Sequence, residues 1–331
     1  VAPLEQASSR TFGRPAEVAV VVSTHARSDY LRGLLACLDA QDHGSFEVVI
    51  CDNGSPDDTW RLLTGWLART GVPALALRLP FSDGPAVPRN TAVLRTSAPL
   101  LAFTDDDCLP ATSWLSSLSP GLDDPSVAVA QGRTRPESGA WAGPWGRSLT
   151  VLTVTGLCET ANLACRRESF VQVGGFPARR LLSGRAFGED VLLGAALARH
   201  GRVVRRDEAL VEHRVLPGSY REFLRERHRL GGFPLLIRAL PELRQNAFLG
   251  VFLGRRTAVV DVGLLGLVAA PLLRRWWPVA AAAPWIRSCW SASAGRPGRL
   301  RAVRAAQIAV GDVVGLSGLV SGSVRARRLL L

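Results

Sequence analysis

The chain contains no lysine, so each of its 40 basic residues is an arginine and no site in it can rest on an ammonium group. Its six cysteines, at 37, 51, 108, 158, 165 and 289, include no paired C-x-x-C spacing, which predicts reduced thiols in a cytoplasmic compartment. The first 17 residues carry no apolar core of signal-peptide length and read as a loose arm. No G-x-G-x-x-G turn follows the first apolar run, where "STHARS" stands instead, and this argues against a nicotinamide-dependent Rossmann enzyme. Acids are scarce toward the end. Residues 247–331 hold twelve Arg and two Asp, a net +10 out of the chain's +12.

With 47% apolar and 21% charged residues, the 331-residue chain has enough apolar content for a sizeable core and is not a disordered polymer. From residue 18 to about 104 it alternates two periodicities. "VAVVVST" (18–24), "FEVVICD" (46–52), "ALALRLP" (74–80) and "LLAFT" (100–104) are continuous apolar runs, the pattern of strands buried on both faces. Between them, "SDYLRGLLACLDAQ" places Leu31, Leu34, Leu35 and Leu38 at helical spacing. "PDDTWRLLTGWLART" and a segment beginning near Gly84 also read as helices. Repeated β-α units predict an α/β fold with a mainly parallel sheet flanked by helices. Ligands bind such sheets beyond the carboxyl ends of the strands.

Three polar segments fall at those ends: "STHAR", "CDNGSPDD" and "TDDDC". Asp105 and Asp107 are separated by one residue, a spacing that lets two carboxylates share a hard divalent cation such as Mg²⁺ or Mn²⁺. After residue 120 the alternation ends. "GEDVLLGAALARHG" (188–201) reads as a helix with Glu189 and Asp190 in its first turn, where the helix dipole alone favours acids.

In this order, "VAVVVSTHAR", "ICDNGSPDDT", "GPAVPRN", "AFTDDDCLPATSWL", "ANLACRRESFVQVGGF" and "GED" resemble a family 2 glycosyltransferase, from about Val18 to about Gly232. The resemblance implies a GT-A (Rossmann-like) fold and inverting sugar transfer from a UDP-, GDP- or dTDP-sugar. It implies nucleotide-sugar contacts at Thr24, Asp52, Gly84, Arg89, Asn90, Asp105 and Asp106. Asp105, Asp107 and His213 are the implied ligands of a Mn²⁺ or Mg²⁺ ion. Asp190, with Glu189 beside it, is the implied catalytic base, and Gly174 and Gly175 are expected to line the acceptor pocket, where Trp114 is read equally as a platform for a sugar face or as a core residue. Loops around 136–147 and 178–187 are expected to set which sugar and acceptor fit. Two departures stand out. "STHAR" replaces the family's more usual Pro-Thr-Tyr-Asn run, and no Q-x-x-R-W motif follows Asp190, which argues against a processive polysaccharide synthase.

The expected organisation is an arm (1–17), a glycosyltransferase domain (18–245, dividing near residue 120) and a basic, apolar helical region (246–331). In that last region Trp276, Trp277, Trp285 and Trp290 accompany the arginines, which suits a lipid headgroup layer rather than nucleic acid. "TAVVDVGLLGLVAAPLL" (257–273) is short for a bilayer span and contains Asp261; the apolar run 305–324 contains Asp312. Helices lying on the inner face of the cell membrane, near a glycan or lipid-linked acceptor, are therefore expected, the alternatives being one or two membrane-spanning segments or a helical subdomain packed on the catalytic domain. The rival of a different class is a non-catalytic nucleotide-sugar-binding or membrane-scaffolding protein on the same fold, but a degenerate enzyme usually loses at least one of the expected acids, and all are present.

Overall fold

A computed structural model describes residues 4–80, 84–154, 156–177, 187–294 and 298–331. It comprises two compact units, Val1–Pro217 and Gly218–Leu331. The boundary precedes the expected break at residue 246, because the basic helix after Ser219 packs within the second unit.

The first unit opens with β1 (Glu5–Ser8), β2 (Val18–Thr24), α1 (Ser28–Asp39), β3 (Phe46–Asp52), α2 (Thr59–Leu67) and β4 (Ala74–Arg78). It continues through α3 (Ala86–Val93), β5 (Leu100–Phe103), β6 (Cys108–Pro110), α4 (Trp114–Leu118) and β7 (Val127–Pro136). β8 (Leu163–Arg166), α5 (Arg167–Gln172), α6 (Glu189–Ala198) and β9 (Arg202–His213) complete it. The sheet runs β1-β4-β3-β2-β5-β8-β7-β9-β6. β4, β3, β2 and β5 are mutually parallel, as the β-α repeats require. Beyond β5 the sheet is mixed: β8 is antiparallel to both β5 and β7, while β9 is parallel to β7.

β2 and β3 are buried almost throughout, and alternate residues feed two cores. Val20, Val22, Val48 and Ile50 pack with Leu31, Leu34 and Leu38 of α1 on one face. Val21, Val49 and Cys51 pack with Phe103, Phe170 and Phe176 on the other. Since β2 pairs with β3 on one side and β5 on the other, the order in which the chain adds strands switches sides at β2, and such a switch point leaves a crevice at the carboxyl ends of these three strands.

The N-terminal segment is not loose. β1 pairs antiparallel with β4 and covers an edge that would otherwise expose unpaired backbone groups. Ser9 fastens the segment, its hydroxyl donating to Val72 O and accepting from Ala74 N.

The second unit contains α7 (Tyr220–His228), α8 (Phe233–Ala239), α9 (Arg255–Leu273), α10 (Ala283–Ala292) and α11 (Gly298–Ala326). Ser219 and Glu222 form a reciprocal capping box at the start of α7. Glycines on α11 permit backbone contact: a Cβ on Gly318 would lie 2.3 Å from His228 O, and one on Gly322 would lie 2.1 Å from Gly231 O. Asp312 is buried at the centre of this unit. It accepts from Arg227 Nη2 (2.7 Å), Arg256 Nη2 (2.7 Å) and Trp285 Nε1 (3.0 Å). Trp285 is therefore a core residue and not a boundary residue like the exposed Trp276 and Trp277. Asp261 is buried as well, so neither acid interrupts the outer apolar surface. α9 and α11 are both long and apolar enough to cross a membrane.

Candidate active site

The crevice is lined by the turns that follow β2, β3 and β5. Asn53 N donates to Thr24 O at 2.8 Å and ties the first two turns together. His25 Nδ1 donates to Asn53 O at 2.9 Å, and Ala26 N donates to Ser55 Oγ at 2.8 Å. Ala26 holds a φ of 52°, a left-handed conformation that Asn tolerates better than Ala. This is the place where the resembled family more often carries Asn, and the Ser55 contact helps hold Ala in its stead.

Asp52 is fully buried, and its Oδ1 accepts both the backbone N–H (3.0 Å) and the hydroxyl of Ser55. This closes the "DNGS" turn locally. Its Oδ2 makes no hydrogen bond and lies 3.5 Å from Arg78 Nε. Beside it, an open cleft of about 290 Å³ is lined by Glu5, Gly54, Arg78, Leu79 and Pro80. Asp52 thus shapes the turn through one oxygen and faces Arg78, which lines the cleft, through the other.

The acidic triplet is neutralised by arginines. Arg27, at the N-cap of α1, places Nη1 3.0 Å from Asp106 Oδ1 and 2.7 Å from Asp107 Oδ2. Arg89 of α3, itself buried, is paired through Nη2 with Asp105. Its guanidinium carbon also stands 5.3 Å from the centre of the Phe176 ring. Burial pushes Asp106 up to about 6 against the opposing pull of Arg27. Asp107 is raised for the same reasons, burial first and then Asp105, with His213 and Arg27 opposing.

Of the three residues expected to ligate a cation, Asp107 and His213 come together, with His213 Nε2 3.4 Å from Asp107 Oδ1. Antiparallel pairing of β6 and β9 sets Cys108 opposite His213 and so brings the imidazole to the acidic turn. Asp105 is drawn toward Arg89 instead. Potential ligand atoms of Asp107, Cys108 and His213 lie within 4.8 Å of one another. Burial drives the Cys108 thiol well above its usual range, and a protonated thiol is no ligand for a hard cation. Carboxylate and imidazole remain; the carboxylate suits Mn²⁺ or Mg²⁺, and the imidazole suits Mn²⁺ better than the harder Mg²⁺.

Asp190 lies in the first turn of α6, which begins after Gly188 at φ 76°. Burial and the neighbouring Glu189 push its carboxyl up to about 7, although Val191 N–H and Arg89 pull the other way. Arg89 therefore acts electrostatically on both acid groups, Asp105 and Asp190. Glu189 Oε2 is buried without a hydrogen-bond partner.

Three expected contact residues are used in other ways. Trp114 is fully buried, and its indole N–H donates to Asn162 Oδ1 at 2.9 Å, so the ring cannot stack on a sugar. Asn90 spends its whole amide on Phe176, donating to its O at 2.8 Å and accepting from its N at 2.9 Å. It secures the Gly174–Gly175 turn, whose residues have φ of 83° and 70°; Gly175 has no room for a Cβ, which would meet Asn90 Oδ1 at 2.7 Å. Gly84, also at positive φ, presents its carbonyl to Asn53 Nδ2 at 3.4 Å. Of the expected specificity loops, 136–147 is exposed around Trp141, whereas 178–186 lies outside the described residues.

Arg27 and Asn162 went unnoticed in the sequence. Arg27 sits inside "STHAR", yet nothing in its local spacing indicates a partner 80 residues away. Asn162 is fully buried and bonds Trp114, Arg133 O and Ala209 O, joining α4, β7 and β9.

A doubly wound sheet with acidic turns at its switch point and a carboxylate–imidazole pair beside them has the architecture of the GT-A fold. Residues 19–180, about half of the chain, match the Glycosyl transferase family 2 model. Glycosyltransferase AglE of Haloferax volcanii is 25% identical over 178 residues, covering 50% of this chain and 58% of AglE. Pre-mycofactocin glycosyltransferase of Mycobacterium tuberculosis is 28% identical over 217 residues, covering 60% of this chain and 42% of the relative. The chain thus spans about half the length of these curated relatives. Among solved structures, the mannosyltransferase PcManGT of Pyrobaculum calidifontis, in complex with GDP-Man and Mn²⁺, shares the fold with a TM-score of 0.58 at 20% identity. That match covers 98% of this chain and 90% of PcManGT.

Proposed function

We propose that the protein transfers a sugar from a nucleoside-diphosphate donor to an acceptor hydroxyl with inversion, and that Asp190 is the general base. The observation that carries this reading is the pairing of a buried acid raised to about 7 with a separate metal-capable turn, the two linked by the field of Arg89. A base is most effective when its pKa lies near the working pH. In the reaction, the acceptor oxygen bonds to the anomeric carbon as the bond to the diphosphate oxygen breaks. The hydroxyl proton passes to the Asp190 carboxylate, and the nucleoside diphosphate leaves.

Asp107 and His213 would hold the divalent cation, with Asp105 close by. Once bound, that ion supplies positive charge for the leaving diphosphate. Arg89 adds a charge-assisted donor on the same side. Asp52 and the cleft beside Arg78 are suited to the nucleoside, and the Gly174–Gly175 turn to the acceptor. GDP-Man and Mn²⁺ bound to the Pyrobaculum mannosyltransferase support a nucleotide-sugar donor and a divalent ion.

The acceptor reading follows from the second unit. Trp276 is 82% exposed, Leu272 77% and Leu265 68%, with Arg274 and Arg275 beside them. Such a surface fits an anionic bilayer, and it favours a lipid-linked glycan acceptor at the inner face of the cell membrane.

Asp190→Asn tests the base. Transfer should fall by about 10²–10⁴-fold while the nucleotide still binds. Full transfer by that variant would remove Asp190 from the role.

A further inference from the structure

We infer that Arg27 is a resident counter-charge for the metal turn, a positioning residue that keeps the site closed to a bare divalent cation until a donor diphosphate brings further negative charge. This rests on the metal-site reading above and extends it to a residue outside the acidic motif.

One nitrogen of Arg27, Nη1, contacts both Asp106 Oδ1 (3.0 Å) and Asp107 Oδ2 (2.7 Å). Those carboxylates are almost completely buried, with side chains 6% and 4% exposed, whereas Arg27 remains 38% exposed. The acids are thus fixed and dry, and the cation that neutralises them stands on the solvent side. Its occupancy also divides the oxygens of Asp107: Oδ2 is spent on the guanidinium, and Oδ1 is left facing His213 Nε2 at 3.4 Å. Asp107 is thereby presented to a metal through one oxygen.

A divalent ion approaching this turn alone meets a site whose charge is largely cancelled. Arg27 is shared between Asp106 and Asp107, and Arg89 is paired with Asp105, so two positive charges offset all but one of the three negative ones. Repulsion between a guanidinium and an incoming dication a few ångströms away is substantial at an effective dielectric constant of about 20. A nucleoside diphosphate changes the sum, because it brings negative charge for both the ion and the solvent-side guanidinium. Metal and donor are then expected to bind in a mutually reinforcing way.

Mn²⁺ binding, followed by the electron paramagnetic resonance signal of the free ion without nucleotide, tests the inference directly. Arg27→Gln should bind Mn²⁺ at least about tenfold more tightly than the parent, since it removes a positive charge beside the site. Arg27→Lys should stay within about threefold of the parent, because a single nitrogen makes both native contacts. Unchanged or weaker binding by a folded Arg27→Gln protein would overturn the inference. If Arg27→Gln is recovered folded only when Mn²⁺ is present, the ion has replaced the missing counter-charge and the inference stands. Failure to fold even with Mn²⁺ would make Arg27 a purely structural residue and overturn it. Absence of Mn²⁺ binding in parent and variant alike, both without nucleotide and with saturating UDP or GDP, would defeat the metal-site reading itself, whereas binding that Arg27 does not influence would defeat only this extension.

Discussion

At the scale of single residues, the site is governed by how buried carboxylates are balanced. Asp190 illustrates the cost. Its carboxyl titrates near 7 in the folded chain against an ordinary value of 3.8, so the native state holds the proton more tightly than the unfolded state. Stability from this group is therefore greatest at low pH and declines as pH rises from about 4 to 7. Asparagine cannot ionise, so Asp190→Asn should melt higher than the parent at pH 8, by about 2–4 °C per kcal/mol recovered. The two should converge near pH 4. Parent activity should show an acid limb centred near pH 7, because only the ionised carboxylate accepts a proton. Calorimetry and a pH–rate profile check the two halves separately. Asn90 makes the contrasting case. Asn90→Ala leaves the N–H and C=O of Phe176 without their partners, and a loss of about 1–3 kcal/mol is expected in thermal or urea unfolding.

At the scale of elements, much of the architecture was readable. The apolar runs at 18–24, 46–52, 74–80 and 100–104 became β2, β3, β4 and β5, because a strand buried on both faces leaves an unmistakable one-dimensional trace. In the second half it was the pairing of the strands that was not legible. β7 and β9 contain charged and polar residues, and their pairing depends on partners distant in sequence. Trp114 was ambiguous for a related reason. An aromatic side chain after a strand fits a sugar platform or a core equally well, and only the fold supplied Asn162 as partner for its indole. Close helix packing was also hidden. On α11, Gly315→Ala should be neutral or gain up to about 1 kcal/mol from helix propensity, since its new methyl is tight only against the end of the Leu230 side chain (3.3 Å) and meets Arg227 Nε and O at ordinary contact distances. Gly322→Ala should destabilise the second unit despite the same propensity gain, because its methyl would strike the backbone of Gly231. Limited proteolysis and melting of both variants would separate these outcomes.

At the scale of the whole molecule, charge and apolar surface are concentrated toward one end of the chain. The last 85 residues carry +10 of the net charge, and their helices expose Leu, Val and Trp side chains. The protein should co-float with vesicles rich in phosphatidylglycerol. If apolar insertion dominates, it should remain bound in 1 M salt, where exposed charges are screened within about 3 Å. Replacing Trp276 and Trp277 together by Ala should reduce retention markedly. Binding that vanished in salt and ignored the tryptophans would assign the attachment to arginine alone.

The sequence by itself determined the parallel half of the sheet, the acidic character of its strand ends and the kind of chemistry those ends can host. Short-range patterns carry that information, because burial periodicity and turn composition are local. Only the tertiary structure decided what neutralises the acids. Arg27, from the turn after β2, and Arg89, from helix α3, reach Asp106, Asp107 and Asp105 in the turn after β5, and His213 arrives through a pairing of β6 with β9. Ion pairs between distant segments leave no spacing to read, since their geometry exists only once the sheet has formed.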